Sequence, residues 1–368
     1  MPPVGSAVYF LGAGATRADH PNAPLGDELL HQILSDQERD PVLLSFLEDV
    51  YPSEVLRQDA DATARPRLDD VFTLIDAPLS GRSPAPGTRS SLDLLNVRWR
   101  LVAAIGRILK AAFHDIQSPI APAFAAKLSG TPATIISTNY DLVMDNALFV
   151  ASRPNLNYGF SVRARVRRGA VPGLPTRAEE ARYFVACPED PLIRTGQIPL
   201  LKLHGSLNWL YCPRCDELDV FPGVKVAVEI LDSPATGRCA MLHCTGRYEP
   251  ILVGPSLEQR YSNRILQETW ARAEASLTHA ETLTIVGYSM PSADYLIRAM
   301  LTRQFSRRSD RVTVVTHRDE TDAARFADLA MNFRRVFPMC EIYPNGFRSF
   351  VDLMPGARAR NRDGSMRP

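Results

Sequence analysis

Three short apolar runs in this chain stop abruptly on small or polar residues, and no other feature constrains the fold as much. Val8-Tyr9-Phe10-Leu11 leads into Gly12-Ala13-Gly14-Ala15-Thr16, and Thr134-Ile135-Ile136 leads into Ser137-Thr138-Asn139-Tyr140-Asp141. The third stretch, 198–203, closes on His204-Gly205-Ser206. Runs this short and this rich in β-branched and aromatic residues read as buried strands. Further apolar runs lie at 251–253, 283–286 and 312–315, and helical patterns at 259–277 and 293–305 separate the later ones. Strands alternating with helices predict an α/β fold, a Rossmann-like parallel sheet with helices on both faces. Ligands of such sheets bind outside the carboxyl ends of the strands, where these polar edges fall.

With 368 residues, 45% of them apolar, the chain can build a sizeable core. A net charge of +1, from 42 basic and 41 acidic residues, argues against a protein that coats nucleic acid. No apolar run approaches the roughly 20 residues of a membrane span. No charged region precedes 8–11, so a signal peptide is not expected and the cytoplasm is the expected location. The region 40–116 reads as a helical insertion. Its clearest helix, 91–116, carries Leu92, Leu95, Trp99, Val102, Ile105, Leu109 and Phe113 at helical spacing, which reads as a core face. Segment 153–180 has few large apolar residues and four arginines between 163 and 168, as expected of a surface excursion. The tail 355–368 reads as disordered and basic.

Gly12, Ala13, Gly14 and Thr16 form a glycine turn between a strand and a helix, a context in which backbone amides meet a diphosphate. Arg17 stands where a dehydrogenase fingerprint has its third glycine, which argues against hydride transfer. Asn139 at a strand end can hold a ribose hydroxyl and a water, whereas Asp141 has the ordinary turn-capping alternative. His204 also sits at a strand end, with Gly205 leaving room beside it, and a neutral imidazole can take a proton from water or a sugar hydroxyl. Gly287, Tyr288 and Ser289 follow the run 283–286 and suit contact with a second ribose or adenine. Thr316 occupies the equivalent edge after 312–315.

Cys212-Pro213-Arg214-Cys215 and Cys239-Ala240-Met241-Leu242-His243-Cys244 pair a C-x2-C with a C-x4-C. That spacing matches a closed tetrahedral Zn²⁺ site of structural type, with His243 as an alternative to Cys244. Cys187 and Cys340 have no partner at metal spacing and read as ordinary buried residues.

Taken in order, these motifs resemble the sirtuin family. Gly12–Thr16 looks like its first glycine turn, Ser137–Asp141 like its T-Q-N-I-D segment, His204-Gly205 like its catalytic histidine step, and Gly287–Ser289 like its G-T-S loop. The four cysteines resemble its zinc module. The resemblance implies a sirtuin-like NAD-binding domain over 1–354, with the helical insertion and a zinc module at 206–249. Where protein-deacylating sirtuins continue G-I-P-D-F-R, this chain has Ala23-Pro24-Leu25-Gly26-Asp27. Where they have F-G-E, which pairs with the acyl-lysine peptide, it has Gly254-Pro255-Ser256. Asn139-Tyr140-Asp141 and Gly287-Tyr288-Ser289-Met290-Pro291 are closer to the bacterial sirtuin-like NAD hydrolases of anti-phage defence.

That resemblance implies NAD as substrate, Asn139 and His204 as catalytic residues, and nicotinamide and ADP-ribose as products. It implies a homo-oligomer and an activating partner such as a hexameric ATPase or an Argonaute-like protein, with nucleic acid met only through the partner and no direct contact with a membrane. Two other expectations stand beside it. One is a deacylase or ADP-ribosyltransferase using the same intermediate. The other is a non-catalytic subunit that binds NAD or ADP-ribose.

Overall fold

The computed structural model describes residues 6–35, 40–57, 65–113, 119–151, 156–160, 197–221, 225–232, 237–258, 263–318 and 323–355. The expected surface excursion falls almost wholly outside them, as do Cys187 and all but the first residue of the expected tail.

Six strands form a parallel sheet: β1 (Ala7–Leu11), β2 (Ala133–Ser137), β3 (Leu200–Lys202), β7 (Thr282–Val286), β8 (Val312–Val315) and β9 (Glu341–Tyr343). Their order is β3-β2-β1-β7-β8-β9. Both faces are covered, so the strands are apolar on both sides. Val8 and Phe10 of β1 join Ile136, Leu201, Leu283, Ile285 and Val314 on one face. There they meet α9 (Arg264–His279), α10 (Tyr295–Phe305) and α11 (Ala323–Val336). Leu11, Ile135, Leu200 and Val315 face the other way, onto α6 (Ile120–Leu128), α7 (Val143–Ala151) and α12 (Gly346–Leu353). Strand β9 and the helices α6, α11 and α12 extend the layers beyond the elements read from sequence.

The run 251–253 does not join this sheet. It belongs to β6 (Glu249–Leu252), which pairs antiparallel with β4 (Gly205–Cys212), and β4 pairs on its other side with β5 (Glu217–Val220). Its burial is mixed rather than continuous, as expected of a strand in a small sheet. This three-stranded sheet and α8 (Val226–Asp232) build the module that carries the cysteines.

The helical insertion has its own core. It comprises α3 (Pro41–Val50), α4 (Leu68–Leu79) and α5 (Ser91–Ala112), packed with α2 (Gly26–Ser35) and α8. The first two turns of α5 correct the expected core face. Leu92 and Leu95 are 75% and 52% exposed, and the buried stripe is Leu94, Val97, Leu101, Ile105 and Leu109. Apolar residues line two adjacent stripes of this helix, and the insertion covers only one of them at its start. At the N-terminus Ser90 and Asp93 form a capping box, which fixes where the helix begins. A short helix, α1 (Ala13–Asp19), follows the first glycine turn.

Candidate active site and metal centre

The strand order reverses between β1 and β7, and the two strands leave the sheet side by side. Each ends in a glycine turn, and the turns interlock. Gly12 N–H donates to Val286 at 3.0 Å, and Gly14 N–H to Gly287 at 2.8 Å. A Cβ on Gly12 would stand 2.7 Å from the Gly287 carbonyl oxygen, and one on Gly14 would stand 2.8 Å from Gly287 Cα. The glycine spacing is therefore required by backbone-to-backbone packing. Because Gly14 spends its N–H on Gly287, the turn offers an anion fewer donors than its spacing alone indicates. Ala13 and Gly14 remain partly exposed at this edge.

Arg17 explains the missing third glycine. It pairs with Glu28 and donates to the carbonyl of Ala23, and Glu28 accepts from the Leu25 N–H at 3.1 Å. The arginine thus ties α1 to the segment that enters α2.

Asn139, after β2, gives Nδ2 hydrogens to the Gly12 carbonyl at 2.9 Å and to Thr16 Oγ1 at 3.0 Å. Thr16 in turn donates to Asp141 Oδ2 at 2.8 Å. With both amide hydrogens used, Asn139 has its carbonyl oxygen left to accept from a water or a sugar hydroxyl. Asp141 is buried, and its Oδ1 accepts from the Val143 N–H at 2.9 Å, so it does cap α7. A cavity of about 20 Å³ lies here, lined by Thr16, Ser137, Asn139, Asp141 and Lys202 and also by apolar residues such as Leu11, Met144 and Phe347. That is room for a water molecule. Below it Lys202, 1% exposed, donates to Asp145 Oδ2, Ser206 Oγ and the Asp141 carbonyl at 2.9, 2.7 and 2.5 Å. A buried ammonium is tolerated only with its donors satisfied in this way.

His204 lies in the turn after β3, one residue beyond Leu203, whose N–H donates to the Ser137 carbonyl at 2.9 Å, so the ends of β2 and β3 are held together. The imidazole is 5% exposed and hydrogen-bonds the backbone of Thr138, one residue before Asn139. Gly205 beside it has φ +85°, and a Cβ there would lie 1.9 Å from the Ile251 carbonyl oxygen, so β4 and β6 close against this turn. Burial pushes His204 below its ordinary value, opposed by Asp294 and the Thr138 backbone. The ring of Tyr140 tilts over His204 with centroids 6.2 Å apart, and its hydroxyl donates to the Val253 carbonyl. Burial, and then Asp294, push the Tyr140 phenol well up.

Of the remaining expected contacts, Gly287 is partly exposed at the edge and Ser289 is exposed. Tyr288 is turned inward, with its hydroxyl on Asp294 Oδ2 at 2.8 Å. Thr316 lies one strand further on, half-buried, with its N–H on Tyr343 and its carbonyl on Gly346. Asp294 was not singled out from the sequence. It precedes α10, where an aspartate looks like an ordinary helix cap.

The four cysteines do converge. Cys212 ends β4, Cys215 lies in the turn to β5, and the sulfurs of Cys212, Cys215, Cys239 and Cys244 all fall within 4.8 Å of one another. Cys212 and Cys244 are 3.7 Å apart, and Cys215 and Cys239 are 3.6 Å apart. A tetrahedron with Zn–S bonds of about 2.3 Å has edges of about 3.8 Å, so the thiols fit such an ion. Met241 and Gly246 N–H groups point at Cys239 and Cys244 at 3.5 and 3.3 Å, which suits thiolates. His243 is exposed with φ 66° and does not belong to the cluster. Gly246, which the motif does not include, is also required, since a Cβ there would be 2.6 Å from Cys212 Sγ. The cluster can hold a metal such as Zn²⁺, and with four protein ligands it has no open position for chemistry.

No protein-family model and no curated protein matches this chain. Among solved structures, one described as "The Structural basis for Sirtuin Substrate affinity" aligns at 13% identity over 94% of this chain and 90% of that chain, with a TM-score of 0.40. Superposition at that level carries no weight for chemistry, which rests on the residues above. Among the described residues no helix is long and apolar enough to cross a membrane.

Proposed function

We propose that this chain cleaves the nicotinamide–ribose bond of NAD by hydrolysis. The observation that supports the reading is the join between two strand ends: the imidazole of His204 hydrogen-bonds the backbone of Thr138, the residue before Asn139, so both residues stand at neighbouring strand ends on the carboxyl edge. NAD would lie across that edge at the reversal of strand order, with its diphosphate over Gly12–Thr16 and its adenosine end toward Gly287, Ser289 and Thr316. Asp141 would act through Thr16, whose hydroxyl it accepts. The Asn139 carbonyl oxygen would orient the attacking water and the ribose. As the C1′–N bond breaks, nicotinamide leaves with the bonding electron pair and the ribose becomes oxocarbenium-like. Water adds at C1′ and gives a proton to His204, and the products are nicotinamide and ADP-ribose.

Two features favour water over a peptide acceptor. No aromatic follows Pro24 to shield the sugar. The segment after β6, where peptide-binding sirtuins have F-G-E, is covered by the insertion. Gly254 abuts Phe72, so that a Cβ on it would lie 2.4 Å from that ring, and Leu257 N–H donates to Thr73 Oγ1 at 3.1 Å. Arg82 pairs with Glu258 at 2.9 Å. These contacts occupy the segment with which a peptide strand would pair.

His204 Nε2 is shut away from solvent in this conformation. That fits an enzyme silent until a partner opens the pocket, in keeping with a defence effector that depletes NAD. The zinc-type cluster would hold the small module together and take no part in the chemistry. The test is nicotinamide release from NAD by the full chain with its gene neighbour added. His204→Ala and Asn139→Ala are each expected to lower the rate by about 10²–10⁴-fold with the fold intact. Release at the wild-type rate by either variant removes the assignment.

A further inference from the structure

Asp294 occupies the N-cap position of α10 but makes no side-chain cap bond. Such a cap ordinarily stabilises a helix start, and here it is forgone. The carboxylate turns inward instead. Its Oδ2 accepts from the Tyr288 hydroxyl at 2.8 Å, and Tyr288 is itself fixed against Phe10 with ring centroids 4.9 Å apart. Its Oδ1 stands 3.5 Å from His204 Nε2, with the two side chains only 5% and 6% exposed.

That Nε2 has no hydrogen-bond partner, so the Thr138 contact falls to Nδ1. A neutral ring that gives its Nδ1 hydrogen to a carbonyl presents a lone pair at Nε2. The carboxylate opposite is a second acceptor. Two acceptors facing each other in an enclosed site repel, and one proton between them turns the contact into a charge-assisted hydrogen bond.

We propose that Asp294 is the positioning residue of His204: it holds the ring and stabilises the imidazolium that forms when Nε2 takes a proton. In the hydrolytic step, water forms its bond to C1′, one of its O–H bonds breaks, and that proton moves to Nε2. Nicotinamide has already left with the C1′–N electron pair, and the proton passes to solvent as the products leave. The rate arm of the test rests on the NAD-cleaving reading, but the titration arm does not.

Among the described residues, few groups face the imidazole. Thr138 and Tyr140 come from the loop after β2, Asp294 and Tyr288 from the segment before α10, and the Val253 carbonyl, through Tyr140, from the strand end after β6. Arg98 of α5 acts on Tyr140 at longer range. Tyr140 is pushed up and stays neutral through the working range, and the charge that faces His204 among the described residues is the Asp294 carboxylate. Burial lowers the His204 value, and the Asp294 charge raises it. Removing the charge while keeping the shape should therefore leave burial in command.

The experiment compares the full wild-type chain with Asp294→Asn, each labelled with ¹⁵N-histidine, with His204 assigned by the resonance lost in His204→Gln. In Asp294→Asn the His204 titration should move to lower pH. If NAD is turned over, the acidic limb of the rate profile should move with it, and kcat should fall roughly 10²-fold with KM little changed. A role confined to packing would lower kcat or stability without moving the titration. An unmoved His204 titration in folded Asp294→Asn overturns the proposal. The wild-type chain decides the matter even if that variant does not fold: the neutral ring should be the Nδ1–H tautomer, and an Nε2–H tautomer overturns the proposal. A wild-type chain that binds NAD without cleaving it refutes the hydrolase, while the titration still decides for or against Asp294.

Discussion

At Gly287 the backbone has φ +59°, and an added Cβ would lie 2.1 Å from the Ala15 amide nitrogen. Both facts forbid a side chain. Holding a non-glycine residue in the left-handed region costs about 1–3 kcal/mol, and the backbone clash adds to it. Gly287→Ala is therefore expected to destabilise the chain by at least that amount, as read by denaturant melts. Gly26→Ala, where an added Cβ meets nothing within 4 Å, should stay within about 0.5 kcal/mol of wild type. Equal effects at the two positions would mean that the interlocked turns do not hold the sheet edge. The sequence announces Gly287 as a turn glycine, but not that its partner is the other glycine turn, since that contact joins residues more than 270 positions apart. Tyr288 reads in sequence as a cofactor contact, although its hydroxyl is committed to Asp294, six residues on, because nothing local shows that both side chains turn inward.

At the scale of elements, the cysteine module shows why spacing can be more legible than packing. Two cysteine pairs that share one metal leave little freedom in three dimensions, so the motif alone brings Cys212, Cys215, Cys239 and Cys244 together. Periodicity in α5 constrains much less, because two neighbouring apolar stripes satisfy it and only the tertiary partners choose between them. Strand β9 is three residues long and weakly apolar, and nothing local distinguishes it from a loop. One Zn²⁺ per chain is expected by elemental analysis. Such a site contributes roughly 10–16 kcal/mol of apparent binding energy coupled to folding. Cys212→Ser and Gly246→Ala should each release the metal and loosen β4 and β5 first, seen as faster amide exchange there, with NAD cleavage affected second. A metal-free chain with reduced thiols and an intact module would exclude the zinc assignment.

At the scale of the whole molecule, the proposed reaction gives the helical insertion the task of limiting which acceptor can reach the sugar. It was legible as helical, but its role was not, because the contacts that matter cross from α4 to the segment after β6. Phe72, Thr73 and Arg82 engage Gly254, Leu257 and Glu258. A peptide seeking to pair at that edge would have to displace them. Water has no such barrier once His204 Nε2 is uncovered. Incubated with NAD, the chain should yield free ADP-ribose, and an acetyl-lysine peptide should neither raise the rate nor become deacetylated. Thr73→Ala with Arg82→Ala loosens the cover without touching the sheet edge, and should still give no deacylation, because the F-G-E edge is absent from the sequence as well. Basal turnover should be low and rise when the product of the neighbouring gene is added, since an unregulated enzyme would exhaust its own cell's NAD. Turnover seen only with the peptide, with acetylated ADP-ribose as product, would remove the hydrolase reading and establish the deacylase in its place.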